Sequence, residues 1–345
     1  MTSSDNVNDG ITEYSKLHHE ANTETRLASY KQLVNAYYDL ATVFYEWGWG
    51  NSFHFSYQYP FESFRESIRR HEYVLAAQLN NCYGTNKHVL DVGCGIGGPA
   101  RNISRFLQCQ VTGITLNPYQ VQRGNELNDM DPYANVTCIQ GDFMHLPIEF
   151  SNDPNKLFDG AYAIEATCHA PNRTACYHEI YKTLKPGAIF AVYEWCMTSK
   201  FDPFNPKHIQ LKKDIEEGNG LPDICDTQNC LQCMKDAGFD VIYDSDLASS
   251  NDIRGYNGNK YFGKIQSWMT PLLPSWNLFS QRFQFNWLGA IVTNIAIYTM
   301  ELVYIAPTGT VKTQKVLQTG GFALRDAGTE GIFTTMYLMV GRKPE

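Results

Sequence analysis

Residues 89–101 read Val-Leu-Asp-Val-Gly-Cys-Gly-Ile-Gly-Gly-Pro-Ala-Arg, and this stretch decides the fold. A short, mostly apolar run leads straight into Gly93, Gly95, Gly97 and Gly98. Such a run, bounded by a turn signal, marks a strand buried on both faces. The glycines permit positive φ and let a ligand touch the backbone. Pro99 then opens a helix where a missing N–H costs nothing. The spacing Gly93-x-Gly95-x-x-Gly98 also satisfies the pattern for dinucleotide binding, so the motif alone is ambiguous.

Charge separates the readings. A NAD site takes an acidic residue about 20 positions on, for the ribose, yet no Asp or Glu occurs between Asp91 and Glu126. Asp91 instead precedes the glycines, where a carboxylate repels a pyrophosphate and attracts a cation. S-adenosylmethionine carries an ammonium and a sulfonium and no phosphate, so it fits this charge pattern, with Asp91, Gly93, Gly95 and Gly97 as its cradle. The competing reading is a structural turn with Asp91 capping backbone donors. Downstream, Asn117 and Gln120 of GITLNPYQ stand where ribose hydroxyls belong, and the Asn117 amide can both donate and accept. Asp142 could accept from an adenine amino group, with Phe143 packed on the ring.

Outward from the glycine turn, strands and helices alternate. QVTGIT, NVTCIQGD, FDGAYAIEA, GAIFAVYEW and FDVIYDSDL read as strands; GPARNISRFL, PYQVQRGNELND and ACYHEIYKTLKPG read as helices. Strands alternating with helices of about ten residues mean βαβ units and a mostly parallel sheet. The fold class is therefore α/β, a Rossmann-like sheet with helices on both faces, an N-terminal helical lid and a C-terminal α/β extension. Residues 1–25 are polar and expected to fray. Residues 26–80 form the lid, with one helix running from Leu27 to the interruption at Gly48 and Gly50, and a second over residues 61–78. The cofactor-binding core is placed at 81–248, and a Gly/Asn/Ser-rich loop after Ala248 marks off a C-terminal segment, 249–345.

Composition narrows the partners. Twenty-eight basic residues against 36 acidic ones leave a net charge of −8, and no Lys/Arg run reaches four, which argues against a nucleic-acid binder. No secretory leader is legible, so the ten cysteines are expected as thiols. Cys225, Cys230 and Cys233 form one CxxC where metal ribbons use two; a helix with small buried thiols is the better reading, and no metal is expected. Residues 283–300 are uncharged but hold Gln284, Asn286, Thr293, Asn294 and Thr299, which disfavours a bilayer span. A peripheral membrane contact through residues 256–276 and the helix after them is the alternative.

The blocks YEWGWGNSFHF (45–55), LDVGCGIGGPAR (90–101), YAIEATCHAP (162–171) and YEWCMT (193–198) underlie a resemblance to class I methyltransferases, and more narrowly to sterol 24-C-methyltransferases. The likeness runs from about Tyr30 to the C-terminus. It departs at Asn117-Pro118-Tyr119-Gln120, which is similar to tocopherol methyltransferases and cyclopropane fatty acid synthases. The resemblance implies S-adenosylmethionine-dependent methylation of a sterol at C-24, on the side chain, through a carbocation. It implies Glu165 and His169 as cation stabiliser or proton acceptor, with Tyr45 and Glu46 beside them. Trp47, Trp49, Phe53, His54, Phe55 and Glu194 would line the sterol site, the aromatic faces steadying positive charge by cation–π contact. It also implies a peripheral enzyme on the cytosolic face of the endoplasmic reticulum, or a cytoplasmic one, and leaves homo-oligomerisation open. Alternatives are methylation of another sterol carbon such as C-4, a tocopherol- or lipid-type acceptor, and a non-catalytic sterol carrier.

Overall fold

The computed structural model describes residues 4–19, 22–59, 62–248 and 287–345. The first strand, β1 (His88–Val92), is buried from Val89 onward, and β2 (Gln110–Thr115), β3 (Val136–Gln140), β4 (Phe158–Ile164) and β5 (Leu184–Met197) lie parallel with it. Every residue of β4 is buried, as a central strand covered on both faces requires. Two further strands, β6 (Asp240–Asp246) and β7 (Phe333–Arg342), complete a seven-stranded sheet of order β3-β2-β1-β4-β5-β7-β6. β7 runs antiparallel to both its neighbours, with Val192 opposite Met339 and Tyr243 opposite Val340. The expected core boundary at 248 is therefore corrected: the C-terminal segment supplies an interior strand of the same sheet.

Helices cover both faces. They are α1 (Ser4–His19), α2 (Thr23–Ala28), α3 (Tyr30–Trp49), α4 (Phe64–Ala76), α5 (Gly98–Leu107), α6 (Pro118–Asp129), α7 (Glu149–Asn152), α8 (Arg173–Thr183), α9 (Pro206–Asn219), α10 (Thr227–Asp236), α11 (Trp287–Leu302) and α12 (Thr310–Glu330). The expected frayed N-terminus is a second correction. Ile11, Tyr14 and His18 are buried at helical spacing on α1, and the first two pack on Leu33, Tyr37 and Ala41 of α3. Three anchoring residues among polar neighbours make a faint stripe, which is why composition hid it. α3 runs through Gly48 and stops at Gly50, whose φ of 80° suits a glycine and whose N–H donates to Glu46 O at 3.0 Å. Ser63 and Glu66 form a reciprocal capping box that starts α4. In the C-terminal half, α12 crosses α9 where Gly218 meets Gly320. A Cβ on Gly320 would lie 2.7 Å from Gly218 Cα, so only glycines allow this approach.

Candidate active site

The sheet and its lid enclose a cleft of about 710 Å³ at the C-terminal ends of the strands, partly open to solvent. Its floor is the glycine turn. Gly93 and Gly95 take φ of 85° and 54°. A Cβ on Gly93 would strike Ala166 Cβ at 2.3 Å, whereas Gly95 meets only Phe53 at 3.7 Å and leaves its backbone open to the cleft. Ile96, Leu116, Phe143 and Ile164 give apolar walls; Asn117, Gln120, His54, Glu165 and His169 give polar ones. No Lys, Arg or Asp stands among the described lining residues. A pyrophosphate would find no Lys or Arg here, whereas an adenosine with a sulfonium fits apolar walls, open backbone and one carboxyl group.

A second cavity of about 320 Å³ lies beside it, lined by Tyr45, Trp195, Cys168, Asn219 and Leu221 together with Tyr38, Phe53, Glu165 and His169. The last four line both spaces and form the wall between them.

Glu165 follows β4 with φ of 53°, a strained region for a residue with a side chain. Its N–H donates to Tyr193 O and its Oε1 accepts from Phe55 N–H, both at 2.9 Å. Burial pushes its carboxyl up to about 8, against the pull of His54, the Trp195 indole and the Phe55 N–H. Trp195 Nε1 has no hydrogen bond of good geometry. Its effect on Glu165 is therefore one of proximity rather than of an aligned bond.

His54 faces acceptors with both ring nitrogens: Phe55 O at 2.8 Å and Glu72 Oε1 at 3.2 Å. Burial pulls the ring toward neutrality, but Glu72, Glu165 and the Phe55 carbonyl outweigh it and hold His54 above its ordinary value. Two acceptors facing its two nitrogens favour the doubly protonated ring. Glu72 is itself fixed by Ser52 Oγ at 2.7 Å and Asn102 Nδ2 at 2.6 Å. His169 is the opposite case. Its Nδ1–H donates to Gly220 O at 3.0 Å, since a carbonyl can only accept, so Nε2 is bare and accepts from the Tyr38 hydroxyl at 3.0 Å. Burial pushes this ring down to about 4, and it is neutral.

Of the residues expected from sequence, Gly93, Gly95, Asn117, Gln120, Phe143, Phe53, His54, Glu165 and His169 line the cleft, and Tyr45 lines the second cavity. Others do not. Asp91 is 2% exposed and outside the cleft lining, and its Oδ2 accepts from Tyr162 OH on β4 at 2.9 Å. Gly97 points its α-face at Arg101 and Cys138 behind the turn. Asp142 is taken by Tyr30 and, at 2.8 Å, by Lys31, because the first turn of α3 brings both residues over it. Glu46 leans outward onto Arg123 at 2.5 Å. Trp47 is 56% exposed, being on the outer face of α3. Trp49 and Phe55 stand one layer back: Trp49 meets Tyr45 edge-on at 5.9 Å, and Phe55 packs on Trp195 at 6.0 Å. Glu194 is buried beneath the site, held by Thr167 and, at 2.7 Å, by Tyr177.

Sequence reasoning missed Tyr38, Glu72 and Trp195. Tyr38 sits seven residues before Tyr45 on one helix face, a spacing that could have flagged it. Cys230 is buried with its sulfur 3.4 Å from Cys196, and no metal-binding group occurs among the described residues.

Residues 90–192 match the methyltransferase domain family, and residues 280–345 match the family described as sterol methyltransferase C-terminal. Over 344 residues, 99% of this protein and 94% of its relative, the sequence is 46% identical to cycloartenol-C-24-methyltransferase 1 of Oryza sativa subsp. japonica. It is 39% identical over 334 residues to the sterol 24-C-methyltransferase of Saccharomyces cerevisiae, covering 93% of this protein and 81% of that one. The chain belongs to the sterol 24-C-methyltransferase family. Solved structures agree on the fold alone. A cyclopropane synthase of Mycobacterium tuberculosis superposes with a TM-score of 0.65 at 14% identity, covering 90% of this protein and 98% of that one. A phosphoethanolamine N-methyltransferase of Haemonchus contortus, solved with S-adenosyl-L-methionine, gives 0.55 at 16%, covering 87% and 56%. The protein is an S-adenosylmethionine-dependent methyltransferase.

Proposed function

We propose that this protein methylates a sterol at C-24, the carbon that the names of its relatives specify for them. One observation carries the reading in the structure: a glycine-floored cleft and an aromatic cavity share a wall made of Tyr38, Phe53, Glu165 and His169. A donor in the first and an alkene in the second would meet at that wall.

S-adenosylmethionine, when bound, supplies an electrophilic methyl group on a sulfonium. Gly95 and Ile96 would hold it by backbone and apolar contact, beside Asn117, whose Oδ1 caps α6 and whose Nδ2 donates to Asp39 at 2.7 Å. The protein's task is then to align the alkene and to tolerate positive charge on the sterol. Alignment in a closed site supplies up to ~7–11 kcal/mol. Tyr45 and Phe53 stack at 5.5 Å, with Trp49 edge-on to Tyr45, so aromatic faces surround the second cavity. Dry cation–π contact adds ~2 kcal/mol for each ring. Glu165, neutral before ligands arrive, gains a reason to ionise as a cation enters beside it. No metal takes part in this scheme.

The acceptor is a membrane lipid, and we place the protein at the cytosolic face of the endoplasmic reticulum as a peripheral enzyme. What supports this is α11, which is free of charge from Trp287 to Met300. Ile291, Ile295, Tyr298 and Leu302 form one exposed stripe along it, and the exposed Tyr304 and Ile305 follow. No helix among the described residues is long and apolar enough to cross a membrane. Residues 256–276, the other expected contact, lie outside the described residues.

The deciding assay supplies methyl-labelled S-adenosylmethionine with a panel of sterols, a tocopherol and an unsaturated phospholipid, and maps the labelled carbon by NMR. Label at sterol C-24 is expected. Label at C-4, or on the tocopherol or phospholipid only, would overturn the reading.

A further inference from the structure

Carbocation chemistry on the sterol has to end in loss of a proton, and the wall between the two cavities holds three groups able to receive it. Glu165 is poorly suited. Burial holds its proton up to about 8 in the free site. Once ionised beside a tertiary cation, its oxygen has ester formation as a competing outcome to deprotonation. His169 cannot take a proton directly, because its one lone pair, at Nε2, is covered by the Tyr38 hydroxyl at 3.0 Å. Tyr38 remains. Its side chain lines both cavities and its hydroxyl donates to His169, which leaves the oxygen lone pairs uncommitted.

We propose that the Tyr38 hydroxyl oxygen takes the sterol's proton while His169 Nε2 takes the hydroxyl's own. The inference rests on the sterol reading above. The C–H bond next to the cationic carbon breaks, and its electron pair becomes the product's new π bond. The released proton bonds to Tyr38 oxygen as the original O–H proton moves to Nε2. Tyr38 ends neutral and unchanged, and the positive charge passes from sterol to imidazolium, which later loses its proton to solvent. His169 needs no basicity of its own beyond a lone pair, because an alkyl cation is a far stronger acid than an imidazolium. Its Nδ1–H stays on Gly220 O throughout. That carbonyl belongs to the C-cap of the 14-residue helix α9, the end whose partial charge is negative, so the new imidazolium is formed against a favourable dipole. The Tyr38 hydroxyl thus gives the weak base a path to the sterol, while burial keeps the stronger nucleophile protonated in the free site.

Three variants separate the candidates, each assayed in single turnover with methyl-labelled S-adenosylmethionine and products resolved by mass spectrometry. In Tyr38→Phe, which keeps the ring and its edge contact with His169, alkene formation should fall at least tenfold. Water-quenched methyl-sterol alcohol should appear, and cofactor affinity should stay within twofold. His169→Asn retains a donor for Gly220 O but no base, and should shift products the same way, testing the pair from its other side. Glu165→Gln should slow methyl transfer yet still give alkene alone. If Tyr38→Phe, or His169→Asn should Tyr38→Phe not fold, gives only alkene within twofold of the wild-type rate, the relay is wrong. Alcohol from Glu165→Gln alone would make Glu165 the base. A wild-type protein that methylates no sterol at all would overturn the functional reading, and is recognisable because neither product forms.

Discussion

At the scale of single residues, the site is governed by what burial does to charge. Asp91 and Glu165 are both pushed up to about 8 by desolvation, Asp91 against the Tyr162 bond and Glu165 against His54. Unfolded, these carboxyls hold protons only below about 4. From there to about 8 the folded state binds more protons, so stability is present at low pH in this range and is lost as pH rises. His169, pushed down to about 4, acts only below about 6.5, where falling pH favours the unfolded state. Above pH 6.5 His169 no longer contributes, and although His54 and Cys138 also titrate there, comparing wild type with Glu165→Gln from pH 6.5 to 8 isolates that one carboxyl. The wild-type melting temperature should fall across that window, and that of Glu165→Gln should fall less; parallel curves would remove Glu165 as a cause. Asp91 carries a different expectation. Asp91→Ala leaves the buried Tyr162 hydroxyl unpaired and should cost ~1–3 kcal/mol in urea unfolding. Cofactor affinity measured by calorimetry on the folded variant should change little. Intact stability with lost cofactor binding would return this carboxylate to the ligand, the role its place before the glycines suggests.

At the scale of elements, the C-terminal end of α9 organises the acceptor side. Its last carbonyls lack helical partners, and side chains from elsewhere satisfy them: Tyr14 OH donates to Glu217 O, Tyr37 OH to Gly218 O at 3.2 Å, and His169 Nδ1–H to Gly220 O. Tyr45 joins through its hydroxyl contact with Tyr37 at 2.5 Å. Lid, helix end and His169 are thus one hydrogen-bonded unit, kept in place where Gly218 and Gly320 touch. Gly320→Ala forces a Cβ to within 2.9 Å of Gly218 backbone carbon and oxygen. Overpacking of this kind costs ~1–3 kcal/mol. Chemical denaturation should show that loss, with turnover falling beyond what the unfolded fraction explains, because the carbonyls that hold Tyr37 and His169 must move. Full stability and turnover would mean that α12 slides freely on α9.

At the scale of the whole molecule, a hydrophobic acceptor has to pass from bilayer to cavity, and the exposed stripe of α11 is the surface suited to face that bilayer. Ile295 and Tyr298 are each 62% exposed. Changing both to Asp should leave the melting temperature unchanged. It should weaken vesicle flotation by roughly tenfold or more, since each apolar side group withdrawn from the interface forfeits ~1.5–3 kcal/mol. Unaltered flotation would place the contact elsewhere. High salt or carbonate should strip the wild-type protein from membranes; retention until detergent is added would contradict a peripheral attachment.

The glycine turn, the alternation of strands and helices, and the charge argument against a dinucleotide are local properties, written in residues near one another. They gave the α/β core and the cofactor class from sequence alone, while the resemblance pointed to Glu165 and His169, which the fold brings to one wall. The tertiary structure decided whatever depends on contacts between distant segments. β7 reads locally as one more apolar strand, and nothing in its own residues names β5 and β6 as partners. Asp142, Glu46 and Glu194 carry the right chemistry but are claimed by Lys31, Arg123 and Tyr177. Tyr38 is missed in the sequence because its partner is distant: the fold sets its hydroxyl on His169, 131 residues away. Local propensity can be read residue by residue, but which carboxyl stays free and which lone pair is covered depends on packing between segments far apart in sequence.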